Sequence, residues 1–211
     1  MKTRSFSCNC DGREQCAPIS CSRPVLAKPP LSSGGIGIRR FEDLDSLRSF
    51  FAEKLSGERW VIQSFIEGHD LGVNVLWVVA ATVHHAIKPS SEPYHPASGI
   101  EIGDNPTAMK IAEALVNKLG WSGVANIDMR VDARDNMPMV LEINGRYWLS
   151  LLGSLNAGVN FPLLACEICL GTQGANKKPH GARYFSGRES VLLSLFGGGE
   201  LAIRPRETNL R

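Results

Sequence analysis

Asp128, Glu142, Asn144 and Arg146 are the residues whose types and spacing carry the most chemistry in this sequence. Glu142 and Asn144 stand two apart in the run Val-Leu-Glu-Ile-Asn-Gly-Arg, so on a strand they share one face. Asp128 lies in the otherwise apolar run from Gly123 to Val131, and Asp132-Ala133-Arg134-Asp135-Asn136 is a turn by composition. Pairing about a turn centred near residues 134–136 brings Asp128 opposite the neighbourhood of Glu142. Two carboxylates and an amide oxygen then converge, with no Cys or His among them. Hard oxygen donors in partial number suit Mg2+ that is also held by phosphates. Arg146, two residues further along the same face, would set a guanidinium beside a transferring phosphoryl group or a developing anion. A solvated strand edge would offer the same residue types. Three oxygen donors and an Arg on one hairpin weigh against it.

Two further stretches could serve a nucleotide. Lys28 closes a short apolar run and is followed by Ser32-Ser33-Gly34-Gly35-Ile36-Gly37. A strand-borne Lys and a glycine loop can hold phosphates with a point charge and backbone N–H groups. Neither a P-loop nor a dinucleotide fingerprint is present, and glycine turns between strands are common for structural reasons. In Gln63-Ser64-Phe65-Ile66-Glu67-Gly68-His69-Asp70, a strand ending in a hinge could offer backbone groups to an adenine edge and a carboxylate to ribose hydroxyls.

The elements that must position these residues follow from periodicity. Pro24 to Lys28 reads as a strand stopped by Pro29-Pro30. Phe41 to Lys54 has helical spacing, with acidic residues in its first turn and Gly57 after it. Trp60 to Ile66 reads as a strand, and Leu71 to Val79 and Ala80 to Ile87 as two strands of one antiparallel sheet. Pro89 to Gly103 reads as a loop, Pro106 to Leu119 as a helix ended by Gly120, and Gly123 to Ile143 as a hairpin. Leu149 to Ala157 and Phe161 to Leu170 read as the final helices; beyond Gly171 only Ser190 to Phe196 looks regular. This order, without regular βαβ alternation, predicts an α+β fold with antiparallel sheets and packed helices.

In this order and spacing the three pieces resemble the ATP-grasp superfamily over roughly residues 24–170. The run from Arg146-Tyr147-Trp148 through Asn160-Phe161-Pro162 is similar to its carbamoyl-phosphate-synthase-like, carboxylate–amine ligase subgroup. The resemblance implies an ATP-grasp fold of two lobes gripping ATP. It implies that Lys28 contacts ATP phosphates under a lid loop of Gly34, Gly35 and Gly37, with Lys88 as a second phosphate contact. Gln63, Ser64, Phe65 and Ile66 would meet adenine, Leu141 would pack beneath its ring and Asp70 would reach the ribose. Asp128, Glu142 and Asn144 would ligate Mg2+ (or Mn2+), and Arg146 would be catalytic. The implied reaction is ATP-dependent activation of a small carboxylate as an acyl-phosphate, attacked by an amine or similar nucleophile. The alternative is a non-catalytic ATP-binding module or a truncated fragment of such a ligase. Relatives carry an N-terminal domain and helices where only about 23 residues precede Pro24 here. The resemblance then implies a substrate site completed by the missing domain, a partner chain or a homo-oligomer.

Composition sets outer bounds. In 211 residues, 23 Lys+Arg against 21 Asp+Glu give a formal charge of +2, which calls for neither nucleic acid nor a membrane surface as partner. The most apolar run, Val73 to Val83, is interrupted by Asn74 and falls short of the roughly 20 residues that span a bilayer. No apolar stretch of signal-peptide length follows Met1 to Arg4, so a reducing, cytoplasmic setting is expected. Cys8, Cys10, Cys16 and Cys21 lack the paired spacing and His partner of a zinc site; Cys166 and Cys169 read as small apolar residues of a helix core. His84, His85 and His95 read as strand and loop residues without a ligand-spaced partner. The expected organisation is an irregular Cys-rich leader (1–23), a partial lid lobe (24–67), a large lobe with the metal-binding hairpin (68–171) and a basic C-terminal extension (172–211).

Overall fold

In the runs 71–75 and 125–131 the odd-numbered positions are apolar and the even-numbered ones are polar or glycine, and this period of two decides which side of each strand faces the core. A computed structural model describes residues 5–6, 24–29, 32, 34–53, 60–76, 79–88, 94–172 and 178–185. The described residues fall into two compact units.

The first unit comprises residues 1–68 and 90–96. Its sheet has strands β1 (Ser5–Phe6), β2 (Val25–Lys28), β3 (Arg39–Phe41) and β4 (Val61–Ser64) in the order β1-β4-β2-β3, all pairings antiparallel. Strand β1 falls in the stretch expected to be an irregular leader, because it finds the free edge of β4. Helix α1 (Leu44–Ala52) starts at Asp43, whose carboxylate accepts the Ser46 backbone N–H at 2.7 Å. Leu47 packs with Val25, Ala27, Trp60 and Ile62. Phe50 meets Trp60 edge-on at 5.4 Å.

The second unit comprises residues 69–89 and 97–211. It contains β5 (Gly68–Leu76) from its second residue onward, β6 (Ala80–Lys88), β7 (Gly99–Gly103), α2 (Pro106–Leu119), β8 (Val124–Asp132), β9 (Pro138–Asn144), α3 (Leu151–Asn156), α4 (Phe161–Cys169) and β10 (Ala182–Phe185). The six strands lie in the order β10-β7-β6-β5-β8-β9. Leu71, Val73 and Val75 of β5 and Ala125, Ile127, Met129 and Val131 of β8 are buried with Ala108, Ala112 and Val116 of α2. The small residues on α2 let it lie close to the sheet. Asn105 caps its start, accepting the Ala108 N–H at 2.9 Å, and Gly120 ends it at φ 58°. The even-numbered positions face the other way and carry the polar residues described below.

A second core joins Leu76, Trp148, Val159, Phe161 and Leu164. Phe161 is wholly buried, with its ring edge-on to Trp148 at 4.8 Å. Phe161→Ala is expected to destabilise the fold by about 3–5 kcal/mol, measured by urea unfolding, because both transfer and cavity costs fall on one site.

Three expectations change. The segment from Pro89 to Gly103 is not loop throughout: Gly99–Gly103 forms β7, an inner strand paired along both edges, with β6 and β10. Its glycines are part of the strand; the Phe185 ring sits where a Cβ on Gly99 would be. Ala182–Phe185, in the expected extension, pairs with β7. Cys166 and Cys169 are exposed, because the buried stripe of α4 is Phe161 and Leu164 and both thiols lie off it. The four N-terminal cysteines and the stretch from Ser190 to Phe196 lie outside the described residues. Among the described residues no helix is long and apolar enough to cross a membrane.

Candidate functional site

The β8–β9 hairpin carries the candidate cation-binding residues. Ile127 faces Ile143, Asn126 faces Asn144 and Asp128 faces Glu142. Nearer the turn, Met129 faces Val140 and Val131 faces Pro138, so the register shifts at Asp128/Met129. Leu141 is the extra residue of that bulge. Without it a one-residue offset would set Leu141 across from Asp128 and turn Glu142 toward the core. With it, Val140 and Ile143 both pack on the α2 side, leaving Glu142 and Asn144 on the polar face with Asn126 and Asp128.

The cluster is tightly knit. Asn144 Nδ2 donates to Asp128 Oδ2 at 3.1 Å and to Glu142 Oε1 at 3.0 Å. Burial first, and then the Glu142 charge, push the Asp128 carboxyl up to about 6. Asn126 and the Arg146 charge pull it back down. Two carboxylates held this close call for a proton, an amide N–H or a cation between them. Turning the Asn144 amide by half a turn would replace its NH2 with Oδ1, making three hard oxygens. That donor set fits Mg2+ or Mn2+. Among the described residues no group of three His, Cys, Asp or Glu has metal-holding geometry, so the cluster depends on the amide and on ligands from outside the chain.

Arg146 does not continue the strand face as expected. Strand β9 stops at Asn144, and the Arg146 N–H turns back to the Asn144 carbonyl at 2.9 Å. The exposed guanidinium donates to the Tyr147 carbonyl at 3.1 Å, still close enough for its charge to act on Asp128.

Elsewhere on this polar face, Asp70 of β5 pairs with Arg130 of β8 at 2.5 Å, so a ribose hydroxyl would have to share that carboxylate. Lys88 ends β6 with its side chain exposed. In the first unit, Lys28 ends β2 opposite Val61. Gly34, Gly35 and Gly37 form a turn with φ of 62°, 84° and 80°. A Cβ on Gly35 would lie 2.2 Å from the Tyr94 carbonyl oxygen, so the turn admits no side chain there. Gln63 is buried and Ser64 pairs with Val25. The Phe65 N–H is held by the Pro24 carbonyl at 2.8 Å, and its ring lies under the Arg40 guanidinium at 4.2 Å. Ile66 follows, half-buried. Thus Asp128, Glu142 and Asn144 are brought together with Arg146 nearby. Lys28, the glycines and residues 63–66 belong to the other unit.

Sequence reasoning gave no role to Asn74, Thr82, Asn126, Arg130 and Ser154, and read His84 as a strand residue. For the strand residues the signal was present, as polar residues at every second position; for Ser154, on α3, it was not. His84 lies across from Gly72, and its ring fills the space where a Cβ on Gly72 would be, 2.2 Å from Cε1. Burial, and then the neighbouring His85 charge, lower its pKa to about 4. The folded value lies below the unfolded one, so the unfolded chain takes up the proton first. Stability is therefore full above about pH 6.5 and falls toward pH 4, by roughly 3 kcal/mol in all. Urea unfolding near pH 7 and near pH 4.5 should show this loss in the wild type and a smaller one in His84→Gln.

These elements, two antiparallel-sheet units with an oxygen-lined hairpin in the second, define an ATP-grasp fold. The family model for ATP-grasp in the biosynthetic pathway with Ter operon matches residues 56–188, and the chain belongs to this ATP-grasp family. No curated protein matches in sequence. Among solved structures, the L-amino acid ligase from Bacillus licheniformis is 20% identical, with a TM-score of 0.57 over 81% of this chain and 44% of that one. The D-alanine–D-alanine ligase from Bacillus anthracis, complexed with ATP, is 20% identical, with a TM-score of 0.57 over 80% of this chain and 61% of that one. The biotin carboxylase domain of 2-oxoglutarate carboxylase from Hydrogenobacter thermophilus, solved with MgADP and bicarbonate, is 16% identical, with a TM-score of 0.56 over 72% of this chain and 37% of that one. At these identities the likeness is one of fold. The chain spans from 37% to 61% of these three solved chains.

Proposed function

We propose that this protein acts as an ATP- and Mg2+-dependent ligase, activating a small carboxylate as an acyl-phosphate for attack by an amine or similar nucleophile. The observation that carries the reading is the Asp128–Glu142–Asn144 cluster, with its strained pair of carboxylates, on a hairpin of an ATP-grasp fold. Family membership and the fold shared with two amino-acid ligases support it.

In this reading Asp128, Glu142 and Asn144 hold Mg2+ or Mn2+, which when bound neutralises phosphate charge. Lys28 and Lys88 supply point charges to phosphates, and the backbone of Gly34, Gly35 and Gly37 supplies N–H groups. Residues Gln63 to Ile66 and Leu141 serve the adenine, and Asp70 the ribose. Arg146 sits within electrostatic reach of the carboxylates and stabilises the anion that develops as the carboxylate is attacked. Most of the rate then comes from positioning and charge neutralisation.

The test is phosphate release from MgATP with pairs of amino acids as acceptors. The ligase reading expects release that requires both a carboxylate and an amine. Tight ATP binding with no acceptor-dependent release from any pair would favour a nucleotide-binding module without turnover.

A further inference from the structure

Beside Asp132, which pairs with Arg134, four polar side chains among the described residues are buried in the second unit where apolar ones would pack at lower cost. Asn74 and Ser154 expose no surface, Thr82 exposes 1% and Asn126 exposes 6%. Burying such groups is tolerable only when they are bonded to one another, and here they are. Thr82 Oγ1 and Ser154 Oγ lie 3.1 Å apart. Asn74 Nδ2 donates to Thr82 Oγ1 at 3.3 Å and to His84 Nδ1 at 3.2 Å. Asn126 Nδ2 donates to Asn74 Oδ1 at 3.1 Å. Asn126 stands two residues before Asp128 on the same face of β8, directly across from Asn144, and its amide acts on the Asp128 carboxyl in the sense that favours the charged form.

The chain of bonds has a direction. With Asn74 Nδ2 set 3.2 Å from His84 Nδ1, the matching neutral tautomer carries its proton on Nε2 and keeps a lone pair on Nδ1 to accept from Asn74. Burial keeps His84 neutral. Asn74 must then turn its NH2 toward β6 and its oxygen toward β8. Asn126, meeting that oxygen, must turn its own NH2 inward, on the face where Asp128 follows two residues on. A flipped Asn126 would present an oxygen to a carboxylate.

We propose that Asn74 is a positioning residue for the cation site: it fixes the amide orientation of Asn126, which holds the Asp128 carboxylate in place for the cation. This rests on the cation-binding reading above. Partners behind a metal ligand commonly change affinity by about 10–100-fold when removed.

The experiment is Mn2+ titration of the full chain with a non-hydrolysable ATP analogue present, followed by electron paramagnetic resonance, with thermal midpoints measured alongside. Asn74→Ala should weaken Mn2+ binding by about tenfold or more. Thr82→Val disturbs the same buried network but leaves His84 to orient Asn74, so affinity should stay within about twofold of wild type. Asn126→Ala removes the arm itself and should lose as much as Asn74→Ala; the double variant should lose no more than Asn126→Ala alone. Should Asn74→Ala fail to fold, Asn74→Ser and Asn126→Ala take its place. Unchanged affinity in Asn74→Ala, Asn74→Ser or Asn126→Ala, or an equal loss in Thr82→Val, would overturn the positioning role. Mn2+ binding that is absent in wild type, or indifferent to Glu142→Ala, would instead sink the cation reading itself.

Discussion

Glu142→Ala is expected to abolish Mg2+-dependent ATP binding while leaving the fold intact. Glu142 is exposed, so truncation opens no cavity, and surface changes of this kind usually move stability by less than about 0.5 kcal/mol. The variant also relieves the repulsion that helps raise Asp128, so stability should hold or rise slightly. Binding is another matter. One of two carboxylates is gone, and Asn144 loses one of the two acceptors that hold its amide. Removing a direct oxygen ligand should cost more than removing a supporting partner, hence at least about 100-fold in Mg2+-dependent affinity. Calorimetric titration with ATP and Mg2+, paired with thermal unfolding, checks both halves. Wild-type-like binding by the variant contradicts the site.

Arg146→Ala is expected to spare ATP binding and to remove turnover. The guanidinium is exposed, is held by the Tyr147 carbonyl and lies off the strand, so the hairpin register and the hydrogen bonds of the carboxylate cluster stand without it. Its assigned work is on charge that develops only during reaction, and such interactions lower kcat rather than raise KM. Loss of one preorganised donor of this kind costs about 100- to 1,000-fold in rate. Phosphate release under saturating MgATP, beside calorimetric ATP affinity, separates the two. Loss of ATP binding together with turnover would contradict the role.

The two predictions draw on different depths of information. The composition of residues 132–136 and the apolar alternation on either side made the hairpin legible. So did the shared face of Glu142 and Asn144. The bulge at Leu141 was not legible, because the sequence contains no glycine or proline there to mark it. Yet it is the bulge that puts Glu142 rather than Leu141 opposite Asp128. Arg146 was placed by extending the strand; the return of its N–H to Asn144 is a turn that strand periodicity does not foresee. Strand β7 was hidden by the prolines and glycines that surround it. The exposed face of α4 was hidden because a short run of apolar residues does not say which side has a neighbour. The polar network behind Asp128 was visible as single residues, Asn74 on β5 and Asn126 on β8. Only the pairing of distant strands shows that they meet.

The most direct measurement of the central claim is calorimetric titration of ATP into the wild-type chain with Mg2+ and with a chelator in its place. The account predicts saturable binding with Mg2+ that is lost in the chelator and equally lost in Glu142→Ala. Binding of equal strength with and without Mg2+, or no binding at all, would contradict it.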